Sequence, residues 1–278
     1  MDTLINTIQS VLDEAQLQKD FLDYPLIVIS KIHITIIDRI GDWEAKIIPA
    51  VSSGKLNFEL YIKRNIVEFL YSKNIEQKMY GKSIIFHELY HVKEFLITNN
   101  AIPLMPIYNI IRNSTHSLLL YLGYIQWTEY YAHYNSTKYY QPYSDDIKES
   151  IELVDDILTT IKHGIDIYDE YQLAEGLFKG INIFISCTII LSARYNQAHN
   201  ESYMILLQSI HNETAFDRQY KYIRKMILYM DNLYQTYPTW VSEEMFLEIG
   251  KTLFSIIHDY GITYSTPDLS DNFIFVSI

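Results

Sequence analysis

The sequence predicts an α+β protein that is predominantly helical, with a small N-terminal β-sheet followed by an all-helical region. Two observations support this prediction. Before residue 65, short segments rich in β-branched residues alternate apolar and polar side chains, which is the periodicity of strands. After residue 65, apolar residues recur at helical spacing in segments that are separated by prolines such as Pro103, Pro106 and Pro142.

The predicted elements are derived from these patterns in chain order. A first helix is expected over residues 3–20, and strands over 26–37, 43–49 and 55–63. The turn residues Ser-Ser-Gly between the last two strands indicate a hairpin. Later helices are expected over residues 65–72, 77–98, 107–136, 145–163, 167–197, 201–211, 215–235 and 241–258, with a short strand near the C-terminal end. We therefore expect two parts, residues 1–140 and a helical region of residues 141–278 that packs on it without a linker.

The composition limits the class of protein. With 278 residues, of which 49% are hydrophobic, the chain can bury a substantial core. A net charge of −12 argues against a nucleic-acid partner, because nucleic-acid-binding surfaces are usually basic. The single cysteine, Cys187, has apolar neighbours and is expected to be a buried thiol.

The sequence also predicts a cytoplasmic protein without a membrane partner. Its first 20 residues include acidic side chains and no long apolar run, so an amphipathic helix is expected there and not a signal peptide. The longest apolar stretch, residues 180–193, is short for a membrane span and is flanked by Lys179 and Arg194. We expect this stretch to be a helix in the core.

The segment SIIFHELYHVKEFL, residues 83–96, contains the pattern H-E-x-x-H at His87, Glu88 and His91. On a helix, residues four apart lie on one face with Cβ atoms about 6 Å apart, so both imidazoles can reach one metal ion. Glu88 lies about 100° around the helix from His87 and is better placed to take a proton from water than to bind the same ion. The alternative is an ordinary amphipathic helix with surface histidines.

A third ligand is needed, because catalytic zinc sites have three protein ligands and one open position. Glu129 lies in an apolar and aromatic helical segment, where a carboxylate is costly unless it has a partner such as a metal ion. Small Ala132 would allow close approach of another helix. The candidate metal ligands are therefore His87, His91 and Glu129.

The segments IIFHELYHV and WTEYYAHYNS, with the strands before them, resemble the zincin metallopeptidases of the gluzincin type. The resemblance implies a bound Zn²⁺, the ligands His87, His91 and Glu129, and Glu88 as general base. It also implies a peptide or protein substrate, which would add to the strand over residues 55–63 if that strand lies at a sheet edge.

The sequence departs from the family pattern at two positions. Lys93 stands where the family usually has an apolar residue, and His133 stands where it often has an aspartate that orients a ligand histidine. His133 is either such an orienting residue or a ligand itself. Of the other candidates, Glu94 could approach the ion, but it is expected to be solvated at a helix end or paired with a neighbouring lysine. His116 is expected to be too far from Glu129 to share a metal ion.

Two functions are expected from these features. The first is a zinc-dependent metallopeptidase with a restricted protein substrate. The alternative is a non-catalytic protein on a zincin scaffold that acts as a binding or regulatory module. The number of protein ligands discriminates between them, because a structural zinc site has four.

Overall fold

The computed structural model describes residues 2–16, 21, 32–38, 44–52, 55–101, 115–137, 189–190, 192–193, 217–240, 242–259, 263–265 and 275–277. Over these residues the chain is mostly helical with a small three-stranded mixed sheet, which confirms the α+β class. Cys187 and the helices expected over residues 145–163 and 201–211 lie outside the described residues. No helix in the described part of the chain combines the length and apolarity needed to cross a membrane.

The elements that the structure describes follow the predicted order, apart from a short strand at residues 263–265 that was not expected. They are α1 (Asp2–Gln16), β1 (Ile32–Ile37), β2 (Ala45–Ser52), β3 (Lys55–Lys63), α2 (Arg64–Tyr71), α3 (Ile75–Ala101), α4 (Thr115–Ser136), α5 (Asp217–Thr236), α6 (Met245–Asp259), β4 (Thr263–Ser265) and β5 (Phe275–Ser277).

The region after residue 140 is not all-helical as expected, because β4 and β5 pair antiparallel there. In this pair Tyr264 lies opposite Val276, and aromatic and β-branched residues suit strand pairing. The short strand expected near the C-terminal end is confirmed as β5.

The chain divides into two compact units. The first comprises Met1–Ile97 and Tyr131–Gln141, and the second comprises Thr98–Tyr130 and Pro142–Ile278. The first unit ends at Gln141, close to the predicted boundary at residue 140. Residues 98–130, which the prediction placed in the first part, belong to the second unit. The boundaries fall inside α3 and α4, so each of these helices contributes residues to both units.

The sheet of the first unit has the strand order β1-β3-β2. β3 pairs with β1 in parallel and with β2 antiparallel, and the second pairing is the expected hairpin. β3 is therefore the central strand, and the expectation that it could be an edge strand is wrong. Its backbone groups are used in both ladders and cannot bind an added peptide, so among the strands that the structure describes the edges of this sheet are β1 and β2.

One face of the sheet packs into the core with α3. Phe58, Leu60 and Ile62 of β3 are buried, as their alternation predicts, and the rings of Phe58 and Phe95 meet edge-on at 5.9 Å. In α3 the apolar residues Ile85, Leu89 and Val92, which recur at helical spacing, are buried. Lys93 is accommodated because its ammonium group lies 5.7 Å from the centre of the Phe21 ring, a cation–π contact.

In the second unit, α4, α5 and α6 pack closely. The rings of Tyr124 and Phe246 meet at 5.2 Å. The Tyr229 hydroxyl donates to the Met245 carbonyl at 2.6 Å, and burial together with the nearby Glu248 carboxylate raises the pKa of Tyr229 to about 12. The phenol therefore keeps its proton, and its donor role between α5 and α6, at alkaline pH values at which an ordinary tyrosine would lose it.

Gly123 of α4 permits this packing, since a Cβ atom there would lie 1.9 Å from the Phe246 carbonyl oxygen. We expect Gly123→Ala to destabilise the protein by about 3 kcal/mol, because backbone atoms of two helices must separate. Urea unfolding measures the effect. The control is Gly81→Ala, where the nearest atoms are 3.1 Å away and a smaller loss is expected. A Gly123→Ala variant as stable as the wild type would contradict the close approach of α4 and α6.

Candidate metal centre

The H-E-x-x-H residues lie on α3, whose start is stabilised by its own sequence. The Asn74 side-chain carbonyl accepts a hydrogen bond from the Glu76 amide at 2.8 Å, which satisfies one of the unpaired N–H groups of the first turn. From Ile85 to Thr98 the helix is largely buried on all sides. His87 and His91 are half-buried, whereas Glu88 is only 6% exposed.

The two motif histidines converge on one point. Their Nε2 atoms lie 3.0 Å apart, and the rings meet edge-on with centres at 4.6 Å. In a tetrahedral zinc site with Zn–N distances of 2.0–2.1 Å, two nitrogen ligands are about 3.3 Å apart. Both imidazoles therefore need only a small adjustment to bind one ion through Nε2.

Glu129 joins this pair from α4. One ligand atom each of His87, His91 and Glu129 lies within 4.8 Å of the others, and all three residues are half-buried. Ala132, three residues further along α4, is fully buried, as the close approach of another element requires. Two imidazoles and one carboxylate form a donor set that suits zinc, and their partial exposure leaves the group within reach of solvent.

Glu88 stands outside this group of ligands. Its Oε2 accepts a hydrogen bond from the backbone amide of Ile47 in β2 at 2.7 Å. No sequence pattern signals this contact, because Ile47 is an apolar strand residue 41 positions earlier and only the sheet register brings its amide to α3.

His133 lies beside the ligand pair. Its ring centre is 4.4 Å from that of His87, but among the described residues it is not a member of the group whose ligand atoms lie within 4.8 Å. An imidazole therefore lies in ring contact with the candidate ligand His87, at the position where the family pattern often has an aspartate.

Glu94 is not solvated as expected, since it is fully buried. The reason is that α3 continues to Ala101, so Glu94 lies in the helix interior with buried Phe95 and Ile97 beside it in sequence. A carboxylate seven residues after His87 shares its face of the helix. Glu94 is therefore a buried carboxylate on the helix that carries the motif, and it is its burial that the sequence did not predict.

Among the described residues, neither His33 nor His116 belongs to the group of ligand atoms. His33 on β1 is exposed. His116 lies near the start of α4, where its Nε2 atom is 3.6 Å from a carboxylate oxygen of Glu244.

No protein-family model matches the chain, and neither curated proteins nor solved structures provide a match. The resemblance to the gluzincins therefore stays a prediction that rests on the motif segments. The function has to be inferred from the geometry of the site itself.

Proposed function

We propose that the protein is a zinc-dependent metallopeptidase that hydrolyses peptide bonds. The observation that carries this proposal is the convergence of His87, His91 and Glu129 while Glu88 stays outside the ligand group. Three ligands leave one coordination position open, which is the pattern of catalytic zinc sites. A cytoplasmic location and the absence of nucleic-acid and membrane partners remain predictions from composition.

A zinc ion held by these three residues would supply Lewis acidity, which polarises a carbonyl group and lowers the pKa of water. Glu88 is the residue that moves the proton. Its carboxylate takes the proton from the attacking water and later delivers it to the leaving amine. Its adjacent position on α3 supports this role, because it stands beside the ligands without joining them.

The substrate platform that we propose is β2, in place of the central strand β3. β2 is an edge of the sheet and contributes the Ile47 amide that touches Glu88, so its outer side runs past the site. Edge strands bind extended peptides by adding a strand to the sheet. A peptide bound there would lie close to Glu88.

A second candidate is a non-catalytic binding or regulatory module with a structural metal ion. The observation that favours it is the position of His133, whose ring lies 4.4 Å from that of His87 and offers a potential fourth ligand. A structural site closed by four protein ligands would leave no position for water.

The test combines metal analysis with cleavage of a mixed peptide library. We expect the purified protein to bind about one zinc ion per chain and to cleave library peptides, with cleavage lost on chelation and restored by zinc. Mass spectrometry of the products identifies the cleaved bonds. Stoichiometric zinc without cleavage of any peptide would favour the second candidate, and a chain that binds no metal ion would refute both.

A further inference from the structure

We infer that the backbone amide of Ile47 is a positioning group for Glu88, and that it is therefore not a donor to the bound peptide. The inference rests on the proposed function and adds two points to it. One is how the general base is held, and the other is which part of the β2 edge a peptide can use.

The sheet register shows which way the Ile47 amide points. The Lys63 amide donates to the Glu44 carbonyl at 2.9 Å, so these two residues form a hydrogen-bonded pair. Hydrogen-bonded and non-hydrogen-bonded pairs alternate along an antiparallel ladder. The pair of Ile47 with Leu60, three steps further on, is therefore a non-hydrogen-bonded one, and the Ile47 amide points away from β3.

The carboxylate of Glu88 accepts a hydrogen bond from this outward-pointing amide. The distance of 2.7 Å is short for an amide donor, as expected when the acceptor is a carboxylate. Glu88 is 6% exposed, so burial strengthens the contact and the hydrogen bond offsets part of the cost of burying the charge. Because Oε2 is bound to the strand, the orientation of the carboxylate is restricted.

The hydrogen bond between Ile47 and Glu88 also leaves part of the outer edge of β2 without an N–H donor for a bound peptide. The outward-pointing residues alternate along β2 as Ala45, Ile47, Pro49 and Val51. Ile47 donates to Glu88, and Pro49 has no N–H group. Between residues 46 and 50 the outer edge therefore presents carbonyl acceptors, but no amide available to a peptide.

The interruption lies beside the proposed general base. Oε2 of Glu88 occupies the place at the Ile47 amide that a peptide carbonyl would otherwise take. A peptide added along β2 therefore has no ladder hydrogen bond at Ile47, and we expect its scissile bond to lie at this point, beside Glu88. The amide of Val51 still points outward and can hold the peptide on one side of this point.

The test compares two variants of the full chain, Ile47→Pro and Val51→Pro. In each variant proline removes the outward-pointing N–H group of one residue of β2. Pro49 occurs naturally at such a position, so β2 already accommodates the residue. For Ile47→Pro we expect kcat to fall about 10-fold to 100-fold, because the variant loses a hydrogen bond to a charged group. KM and zinc content should be unchanged. For the control Val51→Pro we expect KM to rise with kcat unchanged.

Amide hydrogen exchange supplies a readout that needs no activity. In Glu88→Ala the Ile47 amide should exchange about 10-fold to 100-fold faster than in the wild type. The Ile48 amide is the matched control, because the pair of Ile48 with Glu59 is a hydrogen-bonded one and should be unaffected.

Each outcome decides the inference. Unchanged exchange at Ile47 in Glu88→Ala would overturn it, as would an Ile47→Pro variant that raises KM and keeps kcat, since the amide would then bind the peptide. If Ile47→Pro does not fold, the exchange experiment decides. If the wild type cleaves nothing, the proposed function fails, while faster Ile47 exchange in Glu88→Ala still establishes the contact that positions Glu88.

Discussion

Glu88→Gln is expected to lower kcat for peptide hydrolysis by about 10²-fold to 10⁴-fold, the usual contribution of general acid–base catalysis. Glutamine has the same shape, and its amide oxygen can still accept the hydrogen bond from the Ile47 amide at 2.7 Å in the wild type. It cannot accept the proton from water. Zinc content and the unfolding midpoint should therefore match those of the wild type.

Glu76→Gln is the control for this prediction, since Glu76 is exposed in the first turn of the same helix. It should cleave normally and retain zinc. Loss of zinc from Glu88→Gln would mean that Glu88 is a ligand. Normal cleavage by Glu88→Gln would assign the proton transfer to another residue.

Glu129→Ala should lose most of its bound zinc and, with it, the stability that zinc provides. Glu129 supplies the carboxylate of the three-residue ligand group, so its removal leaves two imidazoles. A ligand present at 100 times its dissociation constant stabilises the folded state by about 2.7 kcal/mol. We therefore expect the wild type to melt at a higher temperature with zinc than after chelation, and the variant to show little difference.

His133→Ala is the matched comparison on the same helix. If His133 orients His87 without binding the ion, zinc affinity falls about 10-fold to 100-fold, but saturating zinc still raises the melting temperature. If His133→Ala loses zinc as completely as Glu129→Ala, the site has four protein ligands and the binding module becomes the better function. Normal zinc binding by Glu129→Ala would place the third ligand elsewhere.

The sequence by itself determined the features that depend on local spacing. The i, i+4 geometry of one helix was enough to bring His87 and His91 together, because their separation is set by the backbone of that helix. Glu129 was found by chemistry, since a carboxylate within an apolar helical segment requires a partner. The alternation of β3 likewise predicted which of its side chains are buried.

Only the tertiary structure decided the strand order, and with it which of the described strands lie at the edges of the sheet. The alternation of apolar and polar residues reports which face of a strand is buried, and it is the same for an edge strand and for a central one. The pattern of β3 therefore could not show that β1 and β2 occupy both its sides.

Neither the Ile47–Glu88 hydrogen bond nor the burial of Glu94 could be predicted from the sequence, for the same physical reason. The first depends on a backbone amide, which every residue except proline carries, so no side-chain pattern marks it. The second depends on what packs around the far end of α3. Both features depend on residues that are distant in sequence. The periodicity of apolar residues shows only which side chains of one helix or strand lie on the same face.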